Sequence, residues 1–173
     1  LGDVYKRQVP ECPEDDFYGN APAPLYLSTA LPLFRRGGLP ASSIRDVTEA
    51  GIYITNAVKR PKRESAVPQE MIEESLPVLE RELSLFPNLR AVMLMGDVAK
   101  KAFNMIARSK TGKSAIPAGS TYKLRRTPFH AMGLRIFPSY IMTGRNLLIE
   151  KSKTAMAAED IRAMLEFIRS QEL

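Results

Sequence analysis

The sequence is short of the residues on which most metal and covalent chemistry depends. It holds one cysteine, Cys12, which excludes an internal disulfide framework and a multi-cysteine metal or iron–sulfur site built from this chain alone. It holds one histidine, His130, which leaves little material for a zinc site or a nucleophile–histidine pair. No cofactor and no metal site is expected. No apolar run approaches the ~18 residues that a membrane span requires. The N-terminus has no basic start followed by a long apolar core, so no secretory signal is visible and the cytoplasm is the simplest location. Neither a Gly-x-Gly-x-x-Gly turn nor a phosphate-loop lysine motif occurs, which ranks an unrelated nucleotide-binding doubly wound domain last among the readings below.

What is present suits one globular domain: 173 residues, 45% of them apolar and 25% charged. The net charge of +6 permits a polyanionic partner without establishing one. Leu1 to Gln8 shows neither a helix nor a strand period, begins without methionine and joins awkwardly to a proline-rich acidic stretch. This octet reads as a non-native or disordered leader on a truncated gene product, and the domain proper as residues 9–173.

The periodicity predicts a helix over Leu25 to Arg36 closed by Gly37-Gly38, a helical turn near Ser42 to Ala50, and a strand over Gly51 to Val58. Pro68 to Leu85 repeats apolar residues near a 3.6 period, with Pro77 a possible kink. Ala91 to Met95 is continuously apolar, as in a strand covered on both faces, and Asp97 suits the N-cap of a helix reaching about Ala107. Arg108 to Ser120 reads as loop, Tyr122 to Leu124 as a short edge strand, Leu134 to Phe137 as a core strand stopped by Pro138, and Ala155 to Ser170 as a final helix. The alternation predicts an α/β fold, three layers α/β/α around a mostly parallel four-stranded sheet whose first strand is missing.

The polar residues of interest fall at the carboxyl ends of the expected strands, where open α/β sheets bind ligands. Asn56 follows the first strand. An amide offers a donor and an acceptor together, which suits a nucleobase edge, although asparagine also caps turns. Lys59, Arg60, Lys62 and Arg63 form a basic cluster suited to phosphates, or a solvated loop. Phe17-Tyr18-Gly19 offers either a packing anchor or a face for base stacking. Asp97 reads as a cap rather than an acid, His130 as structural, and Ser139, with no histidine nearby in sequence, as a poor nucleophile.

Four segments in this order resemble a family. Phe17-Tyr18-Gly19 resembles the Phe-x-Gly of the uracil-DNA glycosylase superfamily, whose phenylalanine stacks on a flipped base. Ile54-Thr55-Asn56-Ala57-Val58-Lys59 resembles its strand ending Thr-Asn-x-Val-Lys, where the asparagine reads uracil. Ala91 to Ala102 resembles its strand and Gly-x-x-Ala helix start, and Phe137-Pro138-Ser139-Tyr140 its late His-Pro-Ser loop, which enters the DNA groove. The likeness covers Phe17 to Leu165 and is greatest to the bacterial and archaeal branch that carries an iron–sulfur cluster. It implies a bacterial, monomeric DNA-repair enzyme that hydrolyses the N-glycosidic bond of uracil or a related damaged base. Phe17 and Asn56 would bind the base. Pro138 and Ser139 would meet the DNA groove, and Tyr140, Ile141 and Met142 would wedge into the duplex. Lys59, Arg60, Lys62, Arg63, Arg145, Lys151 and Lys153 would meet phosphates.

The departures matter as much. No match to the motif that positions the attacking water precedes Phe17, so the catalytic residues are not identified. The cluster branch's cysteines are replaced by Arg60 and Ser75. Phe137 stands where the family has the histidine that stabilises the leaving base, and His130 is the one histidine left to substitute. Phe137 and the absent first motif both favour the alternative of a non-catalytic nucleic-acid- or nucleotide-binding member of the fold.

Overall fold

The computed structural model describes residues 2–9, 13–20, 24–61, 66–143 and 149–171. Its strands are β1 (Gly2–Val9), β2 (Ile52–Pro61), β3 (Ala91–Met95), β4 (Phe129–Ala131) and β5 (Leu134–Ser139). They form one five-stranded sheet in the order β2-β1-β3-β5-β4. β1 pairs in parallel with β2 and with β3, β3 pairs in parallel with β5, and only the β4–β5 pair is antiparallel. The helices are α1 (Leu25–Arg36), α2 (Ile44–Glu49), α3 (Gln69–Ser84), α4 (Asp97–Thr111), α5 (Thr121–Leu124) and α6 (Lys151–Gln171).

Two apolar layers sandwich the sheet, as the α/β/α reading expects. Ile52, Ile54, Met93, Met95 and Phe137 pack against Leu33 and Phe34 of α1 and Ile161 and Met164 of α6. Val92, Leu94 and Ile136 face Leu79 of α3 and Phe103 and Ile106 of α4. Alternate residues of one strand thus serve opposite layers, and β3 is buried at every position.

The sheet departs from the expected four strands, and the missing first strand is a correction. Residues 2–9 occupy the central slot between β2 and β3, with Gly2 to Lys6 registered on Ile52 to Asn56 and Gly2 to Tyr5 on Ala91 to Leu94. Two flanking ladders supply backbone partners on both sides, which overrides a weak side-chain pattern. Of the octet read as a leader, Gly2 to Gln8 lie in this strand, and Leu1 falls outside the described residues.

Smaller corrections follow the same physics. β2 runs on to Pro61, past the expected end at Val58, and Asn56 lies within the strand. α4 extends to Thr111 and ends on left-handed Gly112, shortening the expected loop. Residues 121–124 form a helical turn rather than an edge strand, because the Ser120 hydroxyl accepts the Lys123 N–H and starts a helix. Gly96, not Asp97, occupies the N-cap position of α4. Pro138 does not stop β5. It pairs opposite Leu94, while β4 reaches only as far as Ile136, so an unpaired strand side accommodates its missing N–H.

Candidate functional site

Asn56 is buried, with 4% of its surface exposed, on the sheet face covered by α1 and α6. Residues 13–19 form the turn that meets it. Asp16 accepts the N–H of its neighbour Phe17 at 2.9 Å, and its carbonyl accepts the N–H of Gly19 at 3.0 Å. Glycine is needed at 19 because a Cβ there would fall 2.0 Å from the Glu14 carbonyl oxygen. This turn brings the Asp16 carboxylate to Asn56, whose Nδ2 donates to Oδ1 at 3.2 Å and to Oδ2 at 3.4 Å. A carboxylate only accepts, so it fixes which end of the amide carries nitrogen. The other end, Asn56 Oδ1, is buried and has no hydrogen-bond partner among the described residues. A buried acceptor left unpaired costs about 1–3 kcal/mol.

Phe17 lies beside this pair but is 1% exposed, packed in the α1-side core with its ring centroid 5.5 Å from that of Tyr26. Tyr18 is the exposed aromatic of the segment. It stacks on Tyr53 at 5.7 Å, and its hydroxyl accepts the Ile54 N–H at 3.0 Å. The turn is therefore stitched to β2 at Tyr53, Ile54 and Asn56.

A second feature opens at the carboxyl ends of β3 and β5. A cavity of about 450 Å³ is lined by Gly96 and Asp97, by Ser120 and Thr121, and by Tyr140, Ile141 and Lys153, among others. The Gly96 N–H donates to the Ser139 carbonyl at 3.0 Å, holding the two strand ends together. Gly96 has φ +103°, and Ile141 packs over it. The cavity lining includes neither Asn56 nor Phe17. The expected site residues thus fall into two groups on neighbouring parts of the same sheet edge.

Ser139, which precedes the cavity-lining Tyr140, belongs to a buried ionic network. Ser139 is fully buried and donates its hydroxyl to Asp160 Oδ2 at 2.6 Å. Arg125, 7% exposed, spans both Asp160 oxygens at 3.1 and 3.0 Å, meets the Met156 carbonyl at 3.0 Å and pairs with Glu159 at 2.7 Å. Burial pushes the Asp160 carboxyl above its ordinary value, against the pull of Ser139 and Arg125. Burial also works against the Arg125 charge, but the bonds from Glu159 and Asp160 more than restore it and raise its pKa. Sequence reading missed Asp16, Arg125 and Asp160. Arg125 and Asp160 are 35 residues apart, and no local pattern announces their meeting.

The remaining expected residues are dispersed. Phe137 is 5% exposed, edge-on to Phe167 at 5.9 Å and capped by the Arg135 guanidinium 4.1 Å from its ring centre. It is a core residue. His130 is exposed on β4, the sheet edge opposite β2, four strand spacings or on the order of 19 Å from Asn56's strand. The structure does not bring it to Asn56. Lys59 turns towards α3, pairing with Glu82 and donating to Thr55 at 2.8 Å. Arg60 pairs with Glu74 at 3.0 Å. Pro138 and Met142 are buried, whereas Tyr140 and Ile141 are half-buried at the cavity wall. Lys151 is exposed at the start of α6, and Lys153 lies 3.1 Å from Glu150. Cys12, Lys62, Arg63 and Arg145 fall outside the described residues.

A mostly parallel sheet between two helical layers, with a fixed amide and a cleft at its strand ends, defines an α/β/α class of protein. Residues 17–164 match the family model described as the uracil DNA glycosylase superfamily, and the chain belongs to that superfamily. It is a DNA-glycosylase-like protein of a family of DNA-repair glycosidases that take DNA as substrate. No curated protein gives a significant match to the chain. The iron–sulfur cluster of the related branch does not fit these residues. Arg60 offers a guanidinium, which is no iron ligand. The Ser75 hydroxyl is already committed, donating to the Met71 carbonyl and accepting the Lys59 N–H, each at 3.0 Å. Among the described residues, no helix is long and apolar enough to cross a membrane.

Proposed function

We propose that this chain hydrolyses the N-glycosidic bond of uracil, or of a related damaged base, in DNA, with Asn56 as the base reader. The observation that carries this reading is the state of the Asn56 amide. Its nitrogen is anchored by the Asp16 carboxylate, while its buried oxygen has no donor among the described residues. Uracil presents an imide N–H, which would satisfy that oxygen. Cytosine presents an acceptor at the ring nitrogen and would leave polar groups unpaired, the kind of mismatch that discriminates strongly. The base would reach the site by leaving the stack, as duplex-acting base enzymes require. Tyr140 and Ile141, at the cavity wall, would fill the space it vacates. Asp16 acts as a positioning residue for the amide.

Bond cleavage leaves positive charge on the sugar and negative charge on the base, so preorganised donors matter more than a nucleophile. Phe137 supplies none. Its burial against Phe167 supports a second reading, a base-binding family member without glycosidase activity. The test is incubation with a uracil-containing oligonucleotide followed by alkali. Strand scission at uracil supports the enzyme. Binding of uracil-containing DNA without scission supports the second reading.

A further inference from the structure

α5 has four residues, far below the ~12–15 at which an isolated helix becomes marginally stable in water, yet it is held from both ends. At its start Thr121 Oγ1 accepts from Lys100 at 2.8 Å, tying it to α4. At its end Arg125 is locked into Asp160 and the Met156 carbonyl, tying it to α6 and, through Ser139, to the end of β5. Charged side chains thus fix a short turn in which Leu124 is the buried apolar residue. The turn presents outward a Tyr122 that is 68% exposed, the most exposed aromatic among the described residues, followed by exposed Lys123 and Arg126. Lys123 makes no ion pair among the described residues, and Arg126 is 3.9 Å from Glu159. The residues just before Tyr122, Gly119 to Thr121, line the cavity together with Tyr140 and Ile141.

We propose that the outward face of α5, Tyr122 with Lys123 and Arg126, is a second DNA-contacting surface that holds the strand running to the cavity. This rests on the glycosylase reading of the chain. An exposed ring beside two cations combines a stacking platform with phosphate neutralisation. Continuity with the cavity at the strand ends favours a DNA strand over an acidic peptide. Because α5 is pinned, the surface is preorganised and loses little freedom on binding.

The experiment measures binding of the 173-residue chain to a fluorescently labelled uracil-containing duplex across a salt series. Tyr122→Ala is expected to weaken binding about 5- to 150-fold at every salt concentration, and Tyr122→Phe to restore it. Lys123→Ala with Arg126→Ala is expected to reduce the slope of log affinity against log salt by about 1.8. All three side chains are exposed, and an unchanged circular dichroism spectrum verifies the fold. If wild type binds and these variants match it in affinity and slope, the α5 surface is refuted while the glycosylase reading stands. If the Tyr122→Ala loss is matched for poly-glutamate, the face is a general polyanion surface and the proposal also fails. A wild type that neither binds the duplex nor excises uracil overturns both.

Discussion

At Asn56 a single amide carries two separable properties. Its orientation comes from Asp16, and its unsatisfied oxygen comes from burial on β2. Asn56→Ala is therefore expected to lower excision about 100- to 1,000-fold, the usual cost of deleting one preorganised polar group, while duplex affinity changes little. Single-turnover excision and equilibrium binding on the same preparation separate the two. Asp160 gives a pH prediction. Its carboxyl is more readily protonated in the folded protein than in the unfolded chain, so its stabilising contribution is complete below its ordinary value of 3.8. That contribution is lost as pH rises through the raised value. Urea unfolding of wild type across that window should show declining stability, and Asp160→Asn should remove this slope. Residue chemistry was only partly legible in the sequence. Asn56 and its neighbourhood to Phe17 could be read, because residue type and order survive without coordinates. The partners of Asn56 and Ser139 could not, since Asp16 and Asp160 meet them across 40 and 21 residues. Phe17 shows the opposite limit. An aromatic before a turn suits stacking or packing equally, and here it is packed in the core.

The elements were legible where an apolar period was strong: α1, β3 and α3 lie within a residue or two of their expected bounds. They were illegible where tertiary pairing decides. β1 is strand because two ladders flank it, and α5 is helix because Ser120 caps it and Lys100 and Arg125 pin it. Pro77 lies inside α3 without ending it. The β3–α4 junction depends on Gly96, whose φ of +103° and ψ of 167° belong to a region essentially reserved for glycine. Gly96→Ala should destabilise the protein by about 1–3 kcal/mol through backbone strain, since the new Cβ would rest in ordinary contact with Ile141 at 3.5 Å. Thermal unfolding measures the loss. At the β2–α3 joint, Ser75→Ala leaves the Lys59 N–H without its partner and should cost about 1–3 kcal/mol, read by chemical denaturation.

Over the whole molecule, a chain with a net charge of +6 folds into a sheet that gathers a buried amide, a 450 Å³ cavity and an exposed aromatic–cationic turn around its β-strand ends. The fold class and family were legible because ordered motifs and strand–helix alternation are properties of sequence. The division of the site into an Asn56–Asp16 pair and a separate cavity was not, because the strand order places β1 between β2 and β3. The basic end of β2 is also less available to phosphate than its composition suggests, since Lys59 and Arg60 are both paired with glutamates of α3. The central claim is that the Asn56 amide reads uracil for cleavage. Its most direct test compares wild type and Asn56→Ala on a duplex with one uracil, treated with alkali and resolved by length. The account predicts scission at the uracil with wild type and its near loss in the variant at undiminished DNA binding. Scission that persists in Asn56→Ala, or a wild type that leaves uracil and hypoxanthine strands uncut, would contradict it.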